Sequence, residues 1–146
     1  MQTLKVISLP IILGMTLLIN ACQSVTTKDD SLYHELGGKE GISRFVDVFI
    51  YEIGETEQVL HYFEDTNIQR FREKQIEHVC LLSGGPCDYT GDEMIPVHEG
   101  MNITESDFNA IANAMIRALD KVNISLSARN QLLAIVASMR HEVLYK

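Results

Sequence analysis

The stretch GGPCDYTGDEMIPVH, residues 84–98, is the most informative part of this chain. Gly84, Gly85 and Pro86 end a helical segment and favour a tight turn, because glycine adopts backbone angles that other residues avoid and proline cannot continue a helix. A short helical turn then ends at His98. A neutral imidazole is a good ligand for a transition metal such as iron. The stretch therefore predicts a helix break followed by one candidate metal ligand, just before the next long helix.

Outward from this stretch, every periodic segment after Asp30 has helical spacing. Apolar residues recur at three- and four-residue intervals, which is typical of one buried helix face. No segment has the two-residue period of a strand, so we expect an all-α fold with short connections between neighbouring helices. The predicted buried faces are Ile42, Phe45, Val46, Phe49, Ile50 and Ile53 in the first long helix, Ile68, Phe71, Gln75, Val79 and Leu82 in the second, Phe108, Ile111, Ala112, Met115, Leu119 and Val122 in the third, and Leu132, Ile135, Val136, Met139 and Val143 in the last.

Side chains that cap helices stand before three of these segments. Thr66 or Asn67 can cap the second long helix, and Thr104 can cap the third. Ser125 or Ser127 can cap the last. Each offers an oxygen that accepts a hydrogen bond from a free backbone N–H of the first turn, so each predicts where its helix begins.

The first 21 residues are predicted to be a signal peptide. Lys5 gives a positive start, and residues 6–19 form an apolar run that is too short to cross a bilayer as a helix at about 1.5 Å per residue. The sequence INAC at residues 19–22 resembles a bacterial lipobox, which implies cleavage before Cys22 and lipidation of that cysteine. Gln23 follows instead of aspartate, which implies the outer membrane of the cell envelope. A cleaved signal with a chance cysteine, or an uncleaved anchor, are the alternatives.

Charge and composition limit the class of partner. The chain of 146 residues has 12 basic and 20 acidic side chains and a net charge of −8. A nucleic acid needs a basic surface, so we expect no nucleic-acid partner. The polar residues after Cys22 read as a flexible tether over 22–30, and one domain follows over 31–146.

Two further cysteines lie seven residues apart across the glycine turn. If Cys22 carries a lipid, Cys80 and Cys87 remain as a pair in an oxidising compartment. A disulfide between them is one interpretation. The other is that Cys80 packs in a helix while Cys87 stays free in a loop.

Several motifs together resemble one family. They are GGxxxI at 37–42, Phe63, Gln75, GGPxxYTGxxMxxxH at 84–98 and GxxIT at 100–104. This pattern is similar to that of the group I truncated haemoglobins and covers nearly all of the predicted domain. The resemblance implies a two-over-two helical sandwich around a haem b.

The resemblance also implies roles for single residues. His98 matches the proximal iron ligand, with its other ring nitrogen held by a backbone carbonyl. Phe63 matches an aromatic side chain that wedges against the porphyrin, and Phe71 a position beside the bound gas; both are alternatively plain core residues. Gln75 matches a distal position from which its amide donates to the gas. A buried amide costs free energy unless paired, so the alternatives for Gln75 are bonding to the backbone or a neighbour, or a position at a solvated edge of the pocket.

The chain departs from the family pattern on the first long helix. The usual distal tyrosine falls at Ile50, which the periodicity turns inward. The neighbouring Tyr51 is rotated by about 100° around the helix. We therefore expect Ile50 beside the haem and no tyrosine hydroxyl near the iron, so that oxygen leaves quickly and the iron oxidises readily.

Four other residues are candidates for the haem edge. Lys74 and Arg72 lie beside Gln75 on its helix, turned outward, where they could pair with the haem propionates or remain solvated. Tyr89 lies near a propionate by resemblance. His78 is interpreted either as a partly buried surface histidine or as a group that approaches the haem edge or the iron.

The function implied by the resemblance is binding of oxygen, NO or CO at a pentacoordinate iron. The alternatives are an NO dioxygenase or a weak peroxidase supplied by a separate electron donor, or a helical lipoprotein without haem. The expected partners are a diatomic gas, an unidentified electron donor and a membrane reached through Cys22.

Overall fold

The computed structural model describes residues 29–146. The predicted signal peptide, Cys22 and most of the tether lie outside the described residues. Asp29 and Asp30, the last tether residues, are exposed and non-helical. Within residues 29–146, no helix is both long enough and apolar enough to span a membrane.

The described part consists of helices joined by loops, which confirms the all-α prediction. It contains no strand between residues 29 and 146. The helices are α1 (Ser31–Glu35), α2 (Gly38–Gly54), α3 (Glu57–Leu60), a 3-10 turn (His61–Phe63), α4 (Ile68–Leu82), α5 (Met94–His98), α6 (Glu105–Lys121), α7 (Leu126–Ser138) and α8 (Arg140–Val143).

The three predicted caps are confirmed. The side chain of Asn67 accepts a hydrogen bond from the backbone N–H of Arg70 at the start of α4. Thr104 and Asp107 form a reciprocal capping box at the start of α6. The hydroxyl of Ser125 accepts from the backbone N–H three residues later and starts α7. These bonds satisfy backbone donors that have no partner within the first turn of a helix.

The core lies where α2 packs against both α4 and α6. α6 also packs against α7, and the short α5 packs against α8. Phe45 and Phe49 stack on one face of α2, with ring centroids 5.8 Å apart. The buried apolar side chains of the two longest helices are Ile42, Phe45, Val46, Phe49 and Ile53 on α2 and Ala114, Met115, Ala118 and Leu119 on α6. Burial of this surface is the main free-energy term that holds the helices together.

A buried carboxylate ties α2 to α6 at the edge of this core. Glu52 is only 3% exposed. It accepts a hydrogen bond from Arg117 Nε at 2.6 Å and another from Lys121 Nζ. The hydrogen bond from Lys121 lowers the pKa of Glu52 most, and the hydrogen bond from Arg117 lowers it further. The apolar periodicity of α2 did not predict this ion pair.

Three local predictions were incomplete or wrong. Ile68, predicted to be buried, is 47% exposed because it is the first residue of α4 and its side chain lies outside the core. The segment 59–63, for which no helix was predicted, contains the end of α3 and the 3-10 turn. The last predicted helix is broken at Met139, which separates α7 from α8.

The glycine turn after α4 is closely packed. A disulfide joins Cys80 to Cys87 across it, with Cα atoms 5.9 Å apart. Gly84 has a φ of +85°, and a Cβ atom there would lie 2.0 Å from the carbonyl oxygen of Asp29. A Cβ at Gly85 would lie 2.6 Å from Cys80 Sγ. Only glycine fits both positions, which explains the helix break that the sequence predicted.

Candidate functional site

A largely apolar cavity of about 400 Å³ lies beside α4, α5 and α6. Cavities of this size and character are typical sites for small organic ligands and cofactors. Its apolar lining is Phe49 and Ile53 from α2, Phe63 from the 3-10 turn, Phe71, Val79 and Leu82 from α4, Met94 and Val97 from α5, Met101 and Ile103 from the following loop, Phe108, Ile111 and Met115 from α6, and Val136, Met139 and Val143 from the C-terminal region.

His98 lies in this lining at the end of α5, half-buried. Its ring Nδ1 is 2.7 Å from the carbonyl oxygen of Met94. Because a carbonyl oxygen only accepts, Nδ1 carries the hydrogen and donates it. In the neutral ring, Nε2 is then the nitrogen with the lone pair, which is the form that binds a metal. The backbone carbonyl that the resemblance implied as the partner of His98 is therefore Met94.

The local sequence explains how α5 presents this imidazole. Pro96 lies in the first turn of the helix, where a missing N–H costs little. Gly100 follows with a φ of +81° and ends the segment. The helix is thus limited to five residues, and its last residue is His98.

The α4 wall of the cavity consists of Phe71, Gln75 and His78 on successive turns. Phe71 meets Phe63 edge-on, with ring centroids 5.4 Å apart. The side chain of Gln75 is partly buried and, within residues 29–146, makes no hydrogen bond. Within these residues, the Gln75 side chain therefore does not bond to the backbone or to a neighbour, which was one of the alternatives. Its amide hydrogens are available to a molecule in the cavity.

His78 is partly buried, as the first interpretation predicted, and it lines the cavity in the same wall. Its ring lies 4.8 Å from the ring of Tyr89, which also lines the cavity. Burial lowers the pKa of His78, and the charge of Glu142 opposes that effect. The imidazole is therefore held in its neutral form more strongly than a solvated histidine.

Lys74 does not point outward, which corrects the prediction. Its side chain is 16% exposed and lines the cavity. Nζ donates to Glu77 at 2.9 Å and to Thr90 Oγ1 at 2.6 Å. The backbone N–H of Thr90 also donates to Glu77, and these contacts lower the pKa of Glu77 to about 2. Lys74 turns inward because the loop that follows α4 folds back over this helix and supplies its partners.

Arg72, the other predicted propionate partner, is directed away from the cavity. Its guanidinium binds Asp47 at 2.9 Å and Ser43 at 2.7 Å, both on α2. Arg70, which the prediction did not include, lines the cavity instead and pairs with Asp92 at 3.0 Å. The helical period separates Arg70 from Arg72 by about 200°, and only the packing of α2 shows which of the two faces the cavity.

The structure corrects the predicted place of Ile50. The α2 residues in the lining are Phe49 and Ile53, which share one face because they are four residues apart. Ile50 packs against the core but lies outside the cavity lining. Tyr51 is 59% exposed, as predicted, and its ring centroid lies 5.4 Å from Lys121 Nζ. No hydroxyl from α2 therefore faces the cavity.

One polar cluster in the lining was missed by sequence reasoning. The hydroxyl of Tyr62 donates to Asp107 at 3.0 Å, and Gln58 donates to the same carboxylate at 2.8 Å. Thr104, Gln58 and Tyr62 together hold the pKa of Asp107 well below its usual range. Burial first, and then Asp107, raise the pKa of Tyr62. No local sequence pattern marks Asp107 as part of this cluster, because its partners Tyr62 and Gln58 are 45 and 49 residues away.

The sequence model of the bacterial-like globin family matches residues 31–145 of this chain. The chain belongs to the bacterial-like globin family. The globin is 31% identical over 113 residues to a group 1 truncated haemoglobin of Mycolicibacterium paratuberculosis, covering 77% of this chain and 83% of that relative. It is 27% identical over 119 residues to a group 1 truncated haemoglobin of Tetrahymena pyriformis, covering 82% and 98%.

Solved structures agree with this assignment. The crystal structure of the Tetrahymena pyriformis truncated haemoglobin in its Fe(III) form superposes on this globin with a TM-score of 0.76 at 27% identity, covering 79% of this chain and 98% of that one. The 2/2 haemoglobin of Synechococcus sp., solved in the cyanomet state with covalently attached haem, gives a TM-score of 0.71 at 27% identity, covering 77% and 97%. The predicted two-over-two globin fold is confirmed.

Proposed function

We propose that this globin holds one haem b in the cavity, through His98, and that its function is the reversible binding of a diatomic gas such as oxygen, NO or CO. The observation that carries the proposal is the bond from His98 Nδ1 to the Met94 carbonyl. This bond fixes the tautomer and leaves Nε2 as a ligand inside an apolar cavity. Bound haem would supply an iron atom with a coordination position open to a small gas.

The chemistry of the lining fits a haem. The apolar side chains match the flat apolar faces of a porphyrin, and Phe63 provides an aromatic ring at the wall. The cationic groups Lys74 and Arg70 lie in the same lining and suit the two propionates. Lys74 pairs with Glu77, and Arg70 pairs with Asp92. A haem propionate would either share each cation with that carboxylate or displace the carboxylate from it.

Gln75 is the group we assign to the gas. Its amide has no partner among the described residues and can donate to a ligand that carries partial negative charge. With His98 as its single protein ligand, a bound iron would be pentacoordinate before the gas binds. Because Tyr51 is exposed, Gln75 would act without help from a tyrosine on α2. A gas held by one amide is released faster than one held by two donors.

Titration with haemin tests the proposal. The full chain, purified in detergent, should develop a sharp Soret band that saturates at one haemin per chain. Reduction followed by CO should then shift this band. A chain that takes up no haemin, or binds it without a saturating stoichiometry, would contradict the proposal.

Turnover distinguishes gas binding from the enzymatic alternative, NO dioxygenase or weak peroxidase activity with a separate electron donor. The oxygen-loaded protein is mixed with NO in the presence of a reductant, and nitrate is counted per haem. One nitrate per haem favours gas binding alone. Many nitrates per haem favour the dioxygenase, whose electrons must come from another protein or a small reductant.

Attachment of the globin to a membrane is a further part of the proposal. The INAC sequence at residues 19–22 supports cleavage before Cys22 and its lipidation, at the periplasmic face of the cell envelope. Metabolic labelling with a radioactive fatty acid should mark the wild-type chain and not Cys22→Ala. Equal labelling of both chains would contradict the anchor.

A further inference from the structure

The loop between α4 and α5, residues 83–93, is tied back onto α4 by several contacts, of which the following three lie near the cavity wall. The disulfide joins Cys87 to Cys80. Thr90 bonds to Glu77 through its backbone N–H and its hydroxyl, both at 2.9 Å. The ring of Tyr89 lies against His78. Tyr89 also lines the cavity, so the loop forms part of the cavity wall. The disulfide is the only covalent tie of the three.

The two sulfur atoms differ in access to solvent. Cys80 is 0% exposed, and the backbone at Gly85 packs so closely on its sulfur that a Cβ there would lie 2.6 Å away. Cys87 is partly exposed and lines a shallow surface pocket with Asp30 and Pro86. A thiol that approaches from solvent therefore meets Cys87 Sγ first.

We propose that the Cys80–Cys87 disulfide is a thiol–disulfide exchange site that controls how firmly the cavity wall is closed. A dithiol reductant attacks Cys87 Sγ with one thiolate, which forms a mixed disulfide and releases Cys80 as a thiolate that takes up a proton. The second thiol of the reductant then attacks its own sulfur in the mixed disulfide, releases Cys87 and closes the reductant's disulfide. Two electrons pass from the dithiol to the globin disulfide.

The consequence of reduction follows from what the loop carries. Without the covalent tie, the far part of the loop is held to α4 by noncovalent contacts, which include those of Thr90 and Tyr89 and the ion pair of Asp92 with Arg70. Opening of a short loop closed by a disulfide becomes more frequent by about tenfold or more when the crosslink is lost. This control of the haem rests on the proposed function, since a faster loss of haem presumes that haem is bound.

The order of attack is tested by trapping. The full chain is treated briefly with the neutral monothiol 2-mercaptoethanol, quenched in acid and alkylated in denaturant. Fragmentation of the tryptic peptide 75–117 then locates the adduct, and Cys22 falls on another peptide. The adduct is expected on Cys87 with the alkyl group on Cys80. An adduct on Cys80, or reduction only under conditions that unfold the whole chain, would overturn the proposal.

Loop opening is tested by hydrogen exchange of oxidised and reduced wild-type protein without haem. Amides of residues 84–93 should exchange about tenfold faster after reduction, and those of α2 and α6 should not change. The double variant Cys80→Ala/Cys87→Ala should behave like reduced wild type. If this variant does not fold, the comparison of oxidised with reduced wild type carries the test. Equal exchange in the two redox states would overturn the proposal, whether or not the protein binds haem.

The haem-dependent effect has its own measurement. Transfer of haem from the globin to apomyoglobin should be about tenfold faster after reduction. Faster loop exchange without faster transfer would overturn control of the haem while leaving gas binding intact. Failure of the globin to take up haem at all would instead overturn the proposed function, and the exchange measurements would still report on the disulfide.

Discussion

The α5 wall and the α4 wall of the cavity use their polar groups differently. On α5, the one imidazole is fixed by a hydrogen bond from Nδ1 to the Met94 carbonyl in its own helix. On α4, the side chain of Gln75 makes no hydrogen bond within residues 29–146, and the ring of His78 packs against the ring of Tyr89. A group that holds a permanent ligand gains from a fixed orientation, whereas a group that meets a transient ligand needs free donors. This difference is the reason why we propose iron binding on α5 and gas binding on α4.

Removal of each imidazole in turn gives the largest expected effect. His98→Ala should abolish the saturating Soret band, because no other side chain of α5 is a metal ligand of this kind. His78→Ala, the matched change on the α4 wall, should retain haem at one per chain. Haemin titration of both variants makes the comparison. Loss of haem from His78→Ala together with retention by His98→Ala would reverse the assignment of the two walls.

The free amide on α4 should control how fast the gas leaves. Gln75→Leu removes a hydrogen bond to a charged acceptor worth about 1.5–3 kcal/mol, so the oxygen dissociation rate should rise by about 10- to 100-fold. Stopped-flow mixing of the oxygen-loaded protein with CO measures this rate. Gln69→Leu is the matched control, since Gln69 lies on the exposed side of the same helix.

A slow rate in the wild type that Gln75→Leu leaves unchanged would contradict the role of the amide. A rise of similar size in Gln69→Leu would assign the effect to the helix instead of the cavity wall.

The contribution of Glu77 to the contacts between the α4 wall and its loop should depend on pH. The pKa of Glu77 is lowered from 4.5 to about 2 in the folded state, chiefly by the N–H of Thr90 and by Lys74. A carboxylate with a depressed folded pKa contributes stability above its unfolded pKa and loses it as the pH falls through its folded pKa. The stability lost in Glu77→Gln should therefore be largest above pH 4.5 and shrink as the pH falls to about 2.

Urea unfolding of wild type and Glu77→Gln across this pH range measures that difference. The other acidic groups are common to both proteins and cancel in the comparison. A difference in the free energy of unfolding that stays constant from about pH 6 to about pH 2 would show that the Glu77 charge is not what holds the loop.

The smallest effect is expected on α2. Tyr51→Phe should leave the oxygen dissociation rate within about twofold of wild type, because the ring of Tyr51 is 59% exposed and turned away from the cavity. The same stopped-flow measurement checks it. A large increase in the rate would mean that the Tyr51 hydroxyl reaches the gas, so that the donors to the gas would not be confined to the α4 wall.

Much of the fold could be predicted from the sequence because its signals are local. The caps at Asn67, Thr104 and Ser125 involve partners three residues away, and helical spacing depends on near neighbours. The turn at residues 84–86 and the imidazole at His98 belong to one short stretch. Such features are encoded by adjacent residues, so they can be predicted without knowledge of tertiary packing.

The site was predicted less completely, because its remaining features depend on long-range packing. Periodicity placed Ile50 beside the haem. A helix with a broad apolar face can pack in slightly different rotations about its own axis, and in this structure Phe49 lines the cavity instead. The inward turn of Lys74 depends on Thr90, sixteen residues later. The partners of Glu52 and Asp107 lie on other helices, so no local pattern marks either carboxylate as buried.

The bond between His98 and iron is tested most directly by resonance Raman spectroscopy of the reduced, gas-free protein. An iron–histidine stretching band should be present in the wild type, shift when the histidines are labelled with heavy nitrogen, persist in His78→Ala and vanish in His98→Ala. Persistence of the band in His98→Ala, or its absence from a wild-type protein that has taken up haem, would contradict the account.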